Sequence, residues 1–160
     1  MLTPTSDGER TLAQKVREYL EARGAKVTLM TPLEHDEMMA VILGLSHFIA
    51  IVSADTLLSL DKLDQMKAVG GITYKVLLTL VESVISEDAE LYASLQMNLP
   101  NMAEIEELFQ KMGKTWGDLV RNRDRDKFVD RMNALRSRLK ESSPDFGKAY
   151  ENMYKLVEGL

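Results

Sequence analysis

The chain has 160 residues, 45% of them hydrophobic and 28% charged, enough for one domain with a real core. Its formal charge of −5 argues against the clustered basic surface that nucleic acid requires, so no nucleic-acid partner is expected. The absence of cysteine excludes disulfides, thiolate metal sites and a cysteine nucleophile, and fits a reducing, cytoplasmic setting.

Met1 to Arg10 is polar and lacks the apolar core of a secretory signal. Leu2-Thr3-Pro4-Thr5 reads as short and extended. Ser6-Asp7-Gly8-Glu9 has capping-box spacing, with Ser6 as N-cap and Glu9 reaching back. Leu12, Val16, Tyr19 and Leu20 then form an apolar stripe at helical period, and Gly24 supplies a stop. Ala25 to Met30 alternates apolar and polar, the pattern of a strand. One helix and one strand cannot make a stable sheet alone. Residues 1–31 are therefore expected to be the remnant of an α/β domain whose other strands lie upstream in a longer parent protein.

From Thr31 onward the pattern is helical, and residues 32–160 read as one all-helical domain. The fold class expected is mainly α, a multi-helix bundle preceded by the residual helix-strand unit. Thr31-Pro32-Leu33-Glu34 combines an N-cap threonine, a proline at the first helical position and a glutamate three residues on. This helix is expected to run to about Leu60. Further helices are expected over 61–68, 73–85, 86–97, 101–120, 124–140 and 144–160. Gly70-Gly71 breaks the chain between two of them, Asn101 and Glu104 stand at capping-box spacing, and Ser143 caps the last.

From Met38 to Ala54 the only strongly polar side chain is His47, and this stretch sits at the short limit for spanning a bilayer. Gly44, Ser46, Ser53 and the acidic flanks, Glu34 to Glu37 and Asp55, oppose insertion. An all-round apolar helix outside a membrane must be buried in a large core or an interface, which points to a partner subunit. The ten methionines suit gap-filling in such a core or interface. The one basic run, Arg121 to Arg131, is interleaved with Asp124, Asp126 and Asp130 and reads as a solvated face. Trp116, between Gly113 and Gly117, reads as a cap on the bundle.

Two histidines carry most of the chemistry. His47 lies inside the apolar stretch, where an imidazole needs a hydrogen-bond partner or a ligand. His35 stands twelve residues earlier, about 120° round an ideal helix at roughly 100° per residue. It is expected to be exposed among Glu34, Asp36 and Glu37. No third metal ligand stands at a known spacing, so no metal is expected. Ser46 and Ser53 have no base placed to activate them.

Three segments in order resemble the prephenate dehydrogenase family: Glu34-His35-Asp36 with Leu45-Ser46-His47-Phe48, then Ile72-Thr73-Tyr74-Lys75, then Ile85-Ser86-Glu87-Asp88-Ala89-Glu90-Leu91-Tyr92-Ala93. Residues 1–30 resemble the end of that family's dinucleotide-binding domain. The resemblance implies the C-terminal, helical, homodimer-forming domain of an enzyme that oxidises prephenate with NAD or NADP to 4-hydroxyphenylpyruvate, the precursor of tyrosine. It also implies that the Gly-rich nucleotide loop and the catalytic histidine lie in the missing N-terminal domain. The present chain would then hold no catalytic or cofactor-binding residue and be inactive alone. Lys75 falls where the family places an arginine against a substrate carboxylate, and His47 and His35 become further substrate-pocket candidates. Lysine here departs from the family, giving a point charge in place of a two-pronged clamp. Tyr74 and Tyr92 fit aromatic positions that also suit a core. Arogenate, the aminated analogue, is an alternative substrate. A non-catalytic helical dimerisation or regulatory module is the competing class, and the orphan unit at 1–30 speaks against it.

Overall fold

The computed structural model describes residues 1–158. Its order is α1 (Asp7–Glu21), α2 (Pro32–Met39), a π-helical segment (Ala40–Leu45), α3 (Ser46–Ser59), α4 (Leu63–Val69), α5 (Ile72–Ile85), α6 (Ala89–Asn98), α7 (Met102–Arg121), α8 (Arg125–Ser142), a 3₁₀ turn (Phe146–Lys148) and α9 (Ala149–Glu158). The mainly α class is as the periodicity indicates.

Local chemistry sets most helix starts. Ser6 Oγ accepts from the Glu9 amide at 3.3 Å, while the Glu9 carboxylate reaches one residue further back, accepting from Thr5 N at 2.7 Å. Gly24, at φ 87, lies just past the end of α1, where a left-handed backbone favours glycine. At α2 the capping box is complete. Glu34 N donates to Thr31 Oγ1 at 3.2 Å and Thr31 N donates to the Glu34 carboxylate at 2.7 Å. The Thr31 amide, and after it the Thr31 hydroxyl, both donating to the Glu34 carboxylate, hold that carboxyl below its ordinary value. Asp88 caps α6, and Asp124 caps α8.

Four expectations about the secondary structure need correction. Ala25 to Met30 is not a strand. It makes a single parallel bridge, Leu2 to Leu29, with Leu2 N donating to Thr28 O and Met30 N to Leu2 O. One neighbour cannot extend a ladder, so alternation alone does not produce a strand here. Asn101 does not form a capping box; it sits in the left-handed region at φ 57 and its side chain makes no cap bond. The final helix begins at Ala149, later than Pro144. Ser143, held extended before the proline, leads into a 3₁₀ turn that contains Gly147. Residues 159 and 160 of the expected helix lie outside the described residues.

The fourth correction concerns the long apolar helix. Pro32–Ser59 runs unbroken for 28 residues, but it is not α-helical throughout. The π segment inserts one residue into the α register. Counting eleven α steps in place of twelve turns the His35–His47 angle from about 120° to about 20°. The two histidines therefore share one face, roughly 17 Å apart along the axis.

Around this helix, α3 packs on α5, the π segment on α6 and α7, α5 on α9, and α7 on α8. Lys67 Nζ meets the Glu82 carboxylate at 2.8 Å, tying α4 to α5. The basic run is a solvated face as its charge pattern suggests: Arg121 pairs with Asp118, and Lys127 with Asp124 at 2.7 Å. Trp116 is not a cap on the end of the bundle. It is half-buried between α7 and α8, edge-on to Phe128 at 4.9 Å, with Arg131 over its ring at 5.2 Å.

The fully buried apolar set is small: Ala40, Ala50, Ala54, Val81, Val84 and Met102. The accessible surface is 12150 Å² for 18.1 kDa. A compact monomer of that mass exposes about 8,100 Å², so this chain exposes about half as much again. Much of the excess is apolar, with Val41, Ile42, Val52, Leu58, Val129, Met132, Leu135 and Leu139 all exposed.

Candidate functional site

The site is best built outward from His47. The π segment brings it onto α6, where its ring meets Tyr92 edge-on. His47 is half-buried, and its Nδ1 is fully shielded with no hydrogen-bond partner among the described residues. One turn along α6, Gln96 Nε2 donates to the carbonyl of Gly44 at 2.9 Å, and Gln96 Oε1 is likewise shielded and unpartnered. Gly44 is buried, and a Cβ there would collide with Met102 Sδ. The crossing is thus close, aromatic on one side and polar at its centre.

Lys75 lies in the first turn of α5, exposed, and enters no ion pair or side-chain hydrogen bond among the described residues. The helix start adds partial positive charge to that of the ammonium, so this corner favours an anion. Because α5 packs on α3, the elements that carry Lys75 and His47 are in direct contact. Tyr74 beside it points inward: its ring lies over Gly70 and its hydroxyl is shielded, with no partner among the described residues.

His35 is half-buried, contrary to the exposed position expected for it, and its Nδ1 lies 2.9 Å from Asp36 Oδ1. Being on the His47 face, it looks along the same side of the helix. No hydrogen bond joins His35, His47 and Lys75 to one another among the described residues. Among these residues, no cluster of three or more His, Asp or Glu could hold a metal. Gly70-Gly71 joins α4 to α5, helix to helix, so it does not form the strand-to-helix loop a dinucleotide needs.

Gln96 was not visible to sequence reasoning. A glutamine in an amphipathic helix carries no signal of its own; only Gly44, an interruption in an apolar helix, hinted at a close approach.

The fold and surface define a helical domain with many exposed apolar side chains, a cationic helix start on α5 and a histidine–tyrosine crossing between α3 and α6. Residues 31–134 match the family model for the prephenate dehydrogenase dimerization domain. The chain is 33% identical over 150 residues to a probable arogenate/prephenate dehydrogenase of Methanocaldococcus jannaschii, covering 92% of this chain and 32% of that protein. It is also similar to the T-proteins of Haemophilus influenzae, at 30% identity over 148 residues, and Enterobacter agglomerans, at 29% over 120. Those alignments cover 89% and 74% of this chain, and 38% and 32% of the T-proteins. The chain belongs to the prephenate dehydrogenase family. It spans about a third of the length of these relatives.

Proposed function

We propose that this chain is the dimerisation and substrate-pocket domain of an enzyme that oxidatively decarboxylates prephenate to 4-hydroxyphenylpyruvate in the cytoplasm. Residues 1–31 are then the end of its dinucleotide-binding domain, and 32–160 the helical domain. The parallel bridge across α1 suits the first assignment, since a parallel pair with a helical crossover is the unit of such domains. The observation that carries the reading is the unpaired ammonium of Lys75 at the start of α5, packed on the helix that presents His47.

In this reading Lys75 holds a substrate carboxylate, and His47 donates a hydrogen bond to a carboxylate or to the ring hydroxyl. His35, paired with Asp36, lines the same helix face toward the nucleotide-binding domain. NAD or NADP, held by the dinucleotide-binding domain of the parent protein, would supply the hydride acceptor. The helices of this domain shield the reacting ring from water, which strengthens each charged contact. Two copies cover one another's apolar faces; the excess surface of two chains together is ample for a large obligate interface. That cover also accounts for the 28-residue apolar helix, which is long and apolar enough to cross a membrane but is gripped by α5, α6 and α7 along one side.

Arogenate is a second substrate to test, because the archaeal relative's name includes it. Prephenate and arogenate differ by an amino group and share carboxylates, so Lys75 serves both. The test is to restore the upstream half and follow nicotinamide reduction on adding each substrate. Turnover of either supports the reading. A folded dimer that binds nucleotide and turns over neither contradicts it.

A further inference from the structure

Gln96 and Tyr92 stand one turn apart on α6, and each holds a different part of the same helix. Tyr92 meets the ring of His47, while Gln96 holds the backbone three residues before it, through the Gly44 carbonyl at 2.9 Å. That carbonyl belongs to the π segment. At the end of the segment the backbone is irregular: Ser46 N turns to Leu43 O, three residues back. A loosened ladder is where an outside donor finds a carbonyl, and it is also where a helix slips from one register to another. Glycine at 44 gives the carboxamide access to that carbonyl, and Met102, buried at 3% exposure, fills the space a side chain would take.

We propose that Gln96 is a positioning residue for His47: its bond to Gly44 O holds the π turn open and so sets the direction of the imidazole. The consequence is geometric. If the π turn relaxes to α, every residue after it swings by about 100° about the axis. His47 then leaves the face of His35 and its seat on Tyr92. A single neutral hydrogen bond, 52 residues away in sequence, selects between these two arrangements. The part of this proposal that concerns substrate rests on the proposed function; the part that concerns His47 does not.

The chain has only two histidines, which makes the test direct. With the imidazoles labelled with nitrogen-15, NMR reads the tautomer and shifts of each. Gln96→Met keeps length and bulk but has no donor. Asn98→Ala, exposed on the same helix, is the control. The expected result is that Gln96→Met moves or averages the His47 signals, leaves those of His35 in place, and that Asn98→Ala changes neither. In the complete enzyme, Gln96→Met is expected to raise KM about tenfold with kcat within about twofold, the split expected when ground-state and transition-state binding are lost together.

His47 signals unchanged in a folded Gln96→Met protein would overturn the proposal. Moved His47 signals with an unchanged KM would uphold the positioning role and remove His47 from the substrate pocket. If Gln96→Met does not fold, the wild-type protein decides. Slowly exchanging, inequivalent Gln96 amide protons support the bond, and rapidly exchanging, averaged ones overturn it.

Discussion

The imidazole of His47 meets the ring of Tyr92 with centroids 4.8 Å apart and planes at 82°, the edge-to-face arrangement that aromatic quadrupoles favour. Such a pair contributes roughly 0.5–1.5 kcal/mol beyond the area it buries. Tyr92→Leu should therefore lower stability by about that amount plus its share of lost burial, while Tyr92→Phe, which keeps the ring, should change it little. Denaturant unfolding of the two variants checks this. Equal losses in both would mean the hydroxyl, not the ring, matters at this crossing.

Gly44 lies in close contact with Met102 of α7. A methyl group there must displace Met102, which has 3% exposure and little room to move. Gly44→Ala is expected to cost about 1–3 kcal/mol, the usual range for overpacking, against the small gain alanine normally brings to a helix. A thermal melt measures it, and Gly44→Ala combined with Met102→Ala should recover part of the loss. An unaltered melting temperature would show that α6 and α7 do not press on the π segment.

These two contacts also mark what the sequence conceals. The start of α2 is legible because Thr31, Pro32 and Glu34 act on each other within one turn. The break at Gly70-Gly71 and the cap at Ser6 are legible for the same reason. The π turn is not, because what marks it out is tertiary: Gln96 and Met102, far along the chain, act on a glycine. A count of residues at 100° per step therefore misplaced His35 relative to His47. The segment 25–30 failed differently, since alternation specifies a strand only where another strand exists to pair with it. Of the site, Lys75 and His47 came from ordered motifs, whereas the residue that seats His47 had no pattern to betray it.

The Glu34 carboxyl is held below its ordinary value, first by the Thr31 amide and then by the Thr31 hydroxyl. A depressed folded pKa means that its contribution is complete above the ordinary carboxylate value and is lost as pH falls through the lowered one. Acid should therefore fray the first turn of α2 before the rest of the bundle. Carbon-13 titration should place the Glu34 midpoint below that of a free glutamate, and Glu34→Gln should abolish the acid-induced rise in exchange of the Thr31 amide. A midpoint at the ordinary value would remove the capping box from solution.

The uncovered apolar surface predicts association. In detergent-free buffer, sedimentation equilibrium of this chain should give twice 18.1 kDa at micromolar concentration. Charges placed on the exposed stripe of α8, Met132→Glu with Leu139→Lys, test whether that stripe is part of the covered face. Both side chains are about half exposed in the single chain, so folding of the protomer should tolerate the change better than the interface does. A stable monomer, or a protein that needs detergent to remain dispersed, would contradict the covered-face account.

The proposed grip of Lys75 on a substrate carboxylate is open to one decisive kinetic comparison. In the complete enzyme, KM for prephenate is measured for the natural protein, Lys75→Ala and Lys75→Arg. Loss of a charged hydrogen bond should cost ~1.5–3 kcal/mol, about ten- to hundredfold in affinity. KM should rise by that factor in Lys75→Ala and be restored or improved in Lys75→Arg, whose fork suits a carboxylate. An unchanged KM in Lys75→Ala, in an enzyme that still turns over prephenate, would contradict it and leave Lys75 a surface residue.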